Sequence, residues 1–257
     1  MKAAIALICL AASAKSQPAM APPQIGFIQD GTRALRPAYG VAGSFVIGNA
    51  LAKGIVNEAF SGQVGLLKTD SSLAAFDSTG KVLGTRNALP GPALFAFSPN
   101  GSAGLAYVPA KNSLLEWQGT SFAPILLERD EIGRGSVLAI AFCSPWEAAF
   151  ILESQGGIRE IHLPLGPGGT FSRNALEGVR APLLVLPSGE LLYREEGGIV
   201  IRKKDASEIH IAASLPARFS LRQMNRDWVQ VVEPSGAALA IRTTDGREQL
   251  FRLPDSR

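Results

Sequence analysis

A chain of 257 residues with a formal charge of +3, and with 25 basic against 22 acidic residues, carries no excess of charge that would suggest a nucleic-acid binder. Its 27 glycines and 17 prolines interrupt the apolar runs too often for long helices, while 46% hydrophobic residues is ample for a core. Two cysteines and two histidines leave little material for a disulfide framework or a zinc centre built on the usual ligands.

The chain opens with Met1-Lys2 and an apolar run from Ala3 to Ala14 that closes on Ala12-Ser13-Ala14. One basic residue, a short apolar core and an A-x-A site have the form of a secretory signal peptide, well under the roughly twenty apolar residues of a membrane span. Cleavage after Ala14 is expected, residues 15–23 follow as a Pro/Ala linker, and the product is predicted to be exported, periplasmic or secreted. Cys9 leaves with the leader, so Cys143 is the remaining thiol and no intrachain disulfide is expected. Residues 24–257 suit one all-β domain.

Ile25 to Gln29, the turn Asp30-Gly31 and Leu35 to Tyr39 read as a hairpin, with Pro37 suited to an edge strand. After it, a turn signal recurs at intervals of about forty residues. It stands at Ser61-Gly62, Pro99-Asn100-Gly101, Ser144-Pro145-Trp146, Pro187-Ser188-Gly189 and Asn225-Arg226-Asp227. Before the turn lies a strongly apolar strand, as in Leu94 to Phe97, Val137 to Phe142 and Leu183 to Leu186. After it come a second strand, as in Gly104 to Val108 and Ala148 to Leu152, and a more polar third, as in Leu73 to Phe76 and Ile158 to His162. Lys81 to Gly84 and Glu208 to Ile211 are candidates for a fourth. Near the end, Leu191 to Glu195 returns through Gly197-Gly198 into Ile199 to Arg202, and Trp228 to Val232, Ala238 to Arg242 and Gln249 to Leu253 form a meander. Four-stranded units repeated radially describe a β-propeller. Five full units are expected, with the N-terminal hairpin as a partial sixth blade or as strands lent to the last one.

Phe97-Ser98-Pro99-Asn100-Gly101 resembles the Phe-Ser-Pro-Asp-Gly box of bacterial WD40-like and TolB-like propeller repeats, with Asn in place of Asp. Leu186-Pro187-Ser188-Gly189 keeps the Pro and Gly, and Cys143-Ser144-Pro145 the Ser-Pro. The passage from Ile25 to Gly43, with Leu35-Arg36-Pro37 and Gly40-Val41-Ala42-Gly43, is similar to exported propeller-like proteins of soil bacteria such as acidobacteria. The resemblance implies architecture rather than activity. The separate N-terminal domain of TolB has no counterpart in the sequence, which argues against that role.

Chemistry-bearing motifs are sparse. Glu160-Ile161-His162 and Glu208-Ile209-His210 each put Glu and His on one strand face, but on a third strand in one blade and a fourth in another, so no shared metal site is expected. Cys143, within an apolar run, reads as a small buried hydrophobe, and neither His162 nor His210 is placed by sequence as its partner. Gly101-Ser102-Ala103-Gly104 has Asn100 where a nucleophile elbow needs Gly. Gly166-Pro167-Gly168-Gly169 lacks the downstream Lys-Ser/Thr of a phosphate loop and reads as a turn. Arg202-Lys203-Lys204 is a solvated strand end without interleaved aromatics. No catalytic residue, metal ligand or cofactor is assigned.

Trp146, in a turn where small or polar residues are usual, is the one candidate for a binding surface; the competing reading packs it between neighbouring blades. Trp117 and Trp228 belong to the core. Two functions remain open. One is a noncatalytic exported propeller, a monomer that binds a protein or a cell-envelope component and neither nucleic acid nor a membrane interior. The other is a metal-assisted hydrolase or lactonase with Glu, Asn and Asp from several blades at the channel mouth, for which Asp130-Glu131 and Glu177 are the nearest carboxylates.

Overall fold

The computed structural model describes residues 22–127, 132, 135–166, 171–233, 238–244 and 246–254. The leader, most of the linker, Asp130-Glu131, Pro167 to Gly169 and the Pro234-Ser235-Gly236 turn lie outside the described residues. Among the described residues the strands form six antiparallel sheets, each built from consecutive segments. The first holds β1 (Gln24–Gln29), β2 (Leu35–Val41) and β3 (Ser44–Ile47). The second runs through β4 (Ile55–Phe60), β5 (Val64–Thr69), β6 (Ser72–Asp77) and β7 (Val82–Asn87), and the third through β8 (Leu94–Phe97), β9 (Gly104–Val108), β10 (Ser113–Trp117) and β11 (Phe122–Ile125). The fourth contains β12 (Ser136–Ser144), β13 (Glu147–Ser154), β14 (Gly157–Pro164) and β15 (Ser172–Ala175). The fifth contains β16 (Leu183–Val185), β17 (Leu191–Glu195), β18 (Gly198–Arg202) and β19 (Glu208–Ala212), and the sixth β20 (Ser220–Gln223), β21 (Trp228–Val232), β22 (Ala238–Arg242) and β23 (Gln249–Arg252). This is a six-bladed β-propeller. All five turn signals fall between the first and second strands of their blades, as expected. The N-terminal hairpin gains β3 and stands as a blade of its own, so the expected five units and a partial sixth become six blades.

Period-two alternation explains why the sheets stack into a ring. Each strand sends successive side chains to opposite faces, and each face meets a different neighbouring blade. In β9, Ala106 and Val108 pack with the second blade, while Leu105 and Tyr107 pack with the fourth. In β13, Phe150 and Leu152 face the third blade, whereas Ala149 and Ile151 face the fifth. The same division gives a core between the fifth and sixth blades around Ile199, Ile201, Val229 and Val231. Ile25, Ile28, Met224 and Trp228 join the sixth blade to the first, and Phe27, Phe60 and Phe76 join the first to the second, so the circle is complete. Trp117 and Trp228 are core residues, as expected.

Burial peaks in the second strands rather than the innermost ones. β9 is buried throughout, whereas β20 is half-open along most of its length, because the first strands border the channel and the second strands are covered by blades on both faces. The outermost β7 and β15 are exposed, which accounts for their weak apolar pattern.

Pro37 is not on an edge strand: β2 is the middle strand of its sheet. Its missing donor is harmless for a different reason. Gly48 N donates to Pro37 O at 2.8 Å, and Gly48 O, which an N–H at position 37 would meet, accepts from Arg36 Nη1 at 3.2 Å. Arg36 is itself fixed by Asp30, with Nε 2.6 Å from Oδ2, while Asp30 Oδ1 accepts from the backbone of Thr32 and Ala34 at 2.8 and 2.9 Å. Burial pushes the Asp30 carboxyl up, but hydrogen bonds from Arg36, Thr32 and Ala34 outweigh it and hold the group below the usual aspartate value. A depressed carboxylate stabilises the fold above the unfolded value of about 4, and that contribution fades as pH falls through the lower folded value. Asp30→Asn is therefore expected to lower stability by about 2 kcal/mol at neutral pH. In denaturant midpoints measured as a function of pH, the gap between variant and wild type should narrow below about pH 4.

Candidate functional site

The channel has two differently built ends. At one end the turns between first and second strands converge, and Ser61, Gln63, Asn100, Pro187 and Arg226 from four blades surround a cavity of about 210 Å³. The Phe97 to Gly101 box is spent on local geometry there. Ser98 Oγ accepts from Ala103 N at 3.0 Å, and Asn100 Oδ1 accepts from Ser102 N at 3.1 Å and from Ser102 Oγ at 2.8 Å. Ser61 Oγ then donates across the blade interface to Gly101 O at 2.8 Å. Gly101 has a φ of +74°, a left-handed conformation that glycine adopts without strain. Ser102 is thus an Asx-turn partner rather than a nucleophile.

The other end is wider. A cavity of about 570 Å³ opens where the five strands β4, β8, β12, β16 and β20 begin, and β1 contributes no residue to its lining. These five strands close on one another directly, β20 lying beside β4, while β1 is set back beside β4 and β21. Most of the wall is apolar, including Leu138, Leu184, Phe95 and Phe219. Polar groups enter at the seam between β4 and β20. Arg222 Nη1 lies 3.0 Å from Glu58 Oε2, a carboxylate whose side chain is 2% exposed. Burial pushes the Glu58 carboxyl above its ordinary range even though Arg222 and the Gln29 backbone pull the other way. Asn57 Oδ1 accepts from Ala93 N at 3.1 Å, which ties β4 to the third blade. Gln223 is buried, and its Nε2 finds no protein acceptor. Arg194 donates to Ala217 O at 2.7 Å, and Arg218 stands exposed at the rim.

Glu58 is the one carboxylate in this lining among the described residues, and Asn57 comes from the same strand. The multi-blade Glu, Asn and Asp set of the hydrolase reading is therefore not assembled by them. Glu177 lies elsewhere, its carbonyl accepting from Arg202 Nη2 at 3.0 Å.

The remaining sequence candidates sit on the blades. Trp146 is 54% exposed and is not wedged between blades; its ring instead covers Gly166 of its own blade. Cys143 is exposed rather than a buried hydrophobe, and His162 Nδ1 lies 3.9 Å from its Sγ, a partnership the sequence did not place. The ring sits between two carboxylates, Nδ1 2.5 Å from Glu147 Oε1 and Nε2 3.3 Å from Glu160 Oε2. Partial burial works to lower the His162 pKa, but hydrogen bonds and charge from Glu147 and Glu160 raise it overall. Although the residue is exposed, partial desolvation of its sulfur and the charge of the same two carboxylates push the Cys143 thiol up to about 11. His210 is separate, paired with Glu195 at 3.0 Å, so the two Glu-Ile-His triplets share no site. In the basic run, Arg202 pairs with Glu208 at 2.7 Å and Lys203 with Glu190 at 2.8 Å. No helix among the described residues is long and apolar enough to cross a membrane.

Comparison with solved structures agrees with this architecture. TolB from Acinetobacter baumannii superposes with a TM-score of 0.59 at 16% identity over 90% of this chain, which shows a shared fold. This chain spans 63% of that TolB chain. Weaker matches are the β-propeller domain of Cps50 (Swd1) from Myceliophteria thermophila, with a TM-score of 0.45, 14% identity and 79% and 72% of the two chains covered, and a functionally unknown protein from Desulfotomaculum acetoxidans, at 0.48, 12%, 89% and 79%. No protein-family model and no curated protein matches the chain.

The seam pair offers a direct check. Arg222→Ala leaves a buried carboxylate without its partner and is expected to lower stability by about 3 kcal/mol, whereas Glu58→Leu combined with Arg222→Leu should recover most of that loss. Urea unfolding of the two variants measures the difference.

Proposed function

We propose that this protein is a noncatalytic exported binding module that seats a protein or cell-envelope component at the wider mouth of its channel. The observation that carries this reading is the cavity of about 570 Å³ with apolar walls, in which the carboxylate is already neutralised by Arg222. Its size is that of a small-ligand or side-chain pocket. Among the residues that line it, Arg218 stands exposed at the rim and offers its guanidinium to an occupant. Such a site favours an occupant with an apolar body and an anionic end, because a guanidinium makes charge-assisted hydrogen bonds to carboxylate or phosphate. Export rests on the leader-like segment from Met1 to Ala14.

Affinity capture from the exported fraction of the source organism tests this reading. Wild-type protein should retain a partner that Leu138→Glu loses, with the melting temperature of the variant unchanged, and Trp146→Ala should retain it. Loss in Trp146→Ala alone would move the site to the opposite face. Equal capture by all three proteins, or no partner at all, would refute the channel mouth as the seat.

A further inference from the structure

Cys143, Glu147 and His162 come together from three adjacent strands near the turn end of the fourth blade, away from the channel mouth. Their ligand atoms all lie within 4.8 Å of one another. The local backbone explains how. The register between β12 and β13 shifts between Phe142 and Ser144, leaving Cys143 as an extra residue in a β-bulge, a device that re-aims a side chain. Glu147 opens β13, two residues before Ala149, which pairs directly with His162 on β14. Glu147 and His162 are therefore diagonal neighbours on one sheet face.

We infer that these three side chains form a binding site for a borderline-soft divalent transition-metal ion, with Zn²⁺ the best match. A thiolate, an imidazole and a carboxylate are the donors such an ion takes, and three protein ligands leave a fourth position open. A tetrahedral ion with bonds of about 2.3 Å to sulfur and about 2.0 Å to nitrogen and oxygen sets Sγ···Nδ1 near about 3.5 Å and Nδ1···Oε1 near about 3.3 Å. The distances in the protein are 3.9 and 2.5 Å. Each of these two contacts thus needs to change by less than about 1 Å, one closing and the other opening, and the Cys143 to Glu147 edge starts within 4.8 Å, adjustments that side-chain torsions at a partly open surface can supply.

The outer partner of the histidine is already in place. Glu160 Oε2 faces Nε2 at 3.3 Å, and a proton held on that nitrogen leaves the Nδ1 lone pair for a cation. Two carboxylates close to one imidazole also give the site a negative field that a dication offsets, opposed in part by Lys204 of the next blade. Because Cys143 is exposed, the fourth position opens to solvent and can take a water or a donor from another molecule. The site is independent of the channel-mouth reading and stands whether or not that reading holds.

Metal titration of the full mature chain, monitored with Zn²⁺ against a chromophoric chelator and with Co²⁺ by absorbance, tests the inference. Wild type should bind one Zn²⁺ per chain, and its Co²⁺ form should show a thiolate-to-metal charge-transfer band in the near ultraviolet. Cys143→Ala should abolish the band, and His162→Ala or Glu147→Ala should remove tight Zn²⁺ binding. Glu160→Gln should weaken Zn²⁺ binding about 10-fold while keeping the band, and His210→Ala should behave as wild type. A wild-type Co²⁺ form without the charge-transfer band, or Zn²⁺ uptake unchanged in Cys143→Ala and His162→Ala, would overturn the site. The wild-type spectrum decides the question even if a variant fails to fold.

Discussion

The seam between the first blade and its two neighbours carries the closure of the ring, because among the described residues no sheet combines strands from both ends of the chain. Closure onto the sixth blade therefore depends on side chains, packed on one another or bonded to backbone carbonyls, in two layers. Outside, Phe27 meets Phe60 and Phe76 edge-on at 4.9 and 5.0 Å, and Ile25 and Ile28 pack against Met224 and Trp228, so apolar burial supplies the non-directional part. Inside, where an innermost strand of the first blade would lie, the contacts are polar. Glu58 pairs with Arg222, Gln230 Nε2 donates to Gln29 O at 3.2 Å, and Asn225 Nδ2 donates to Ile25 O at 2.7 Å. Those contacts join residues 164 to 201 positions apart in the chain, and a buried polar group left without its partner there would be penalised heavily.

The same vacancy shapes the channel. With β1 set back, five strands rather than six enclose the axis, and the seam strands β4 and β20 bring the Glu58–Arg222 ion pair to a largely apolar mouth. The turn end is governed by a different constraint. There the Ser, Asn and Gly of the repeated turns are consumed in capping one another, within a blade at Ser98 and Asn100 and between blades at Ser61 and Gly101. Conformational demands of tight turns, rather than ligand chemistry, account for the repeated motif.

How much of this was legible in the chain follows from how far each interaction reaches. The five turns and the strands they join depend on residues a few positions apart, and they read correctly, whereas the third strand of the first blade, Ser44–Ile47, carried too weak an apolar pattern to be read. Pro37 misled because its compensation comes from Arg36 and Gly48, across a strand pair that the sequence does not display. Cys143 misled for a related reason: its apolar run predicts burial, but a bulge turns it out beside His162, and one shifted register changes which face a residue occupies. Trp146 was visible as unusual for its position, yet only the folded blade shows its ring resting on Gly166 and open to solvent.

The sequence by itself determined an all-β repeat, because alternation and turn chemistry are properties of neighbouring residues. It also placed the five turns and marked the N-terminal segment as structurally distinct. Tertiary structure alone decided that this segment is a blade, that Arg222 meets Glu58, that Gln223 is left with an unmatched amide, and that a thiol, a carboxylate and an imidazole share one surface. Each of these depends on ring closure or on strand register, and both are set by long-range packing between segments whose spacing in the chain carries no trace of the contact.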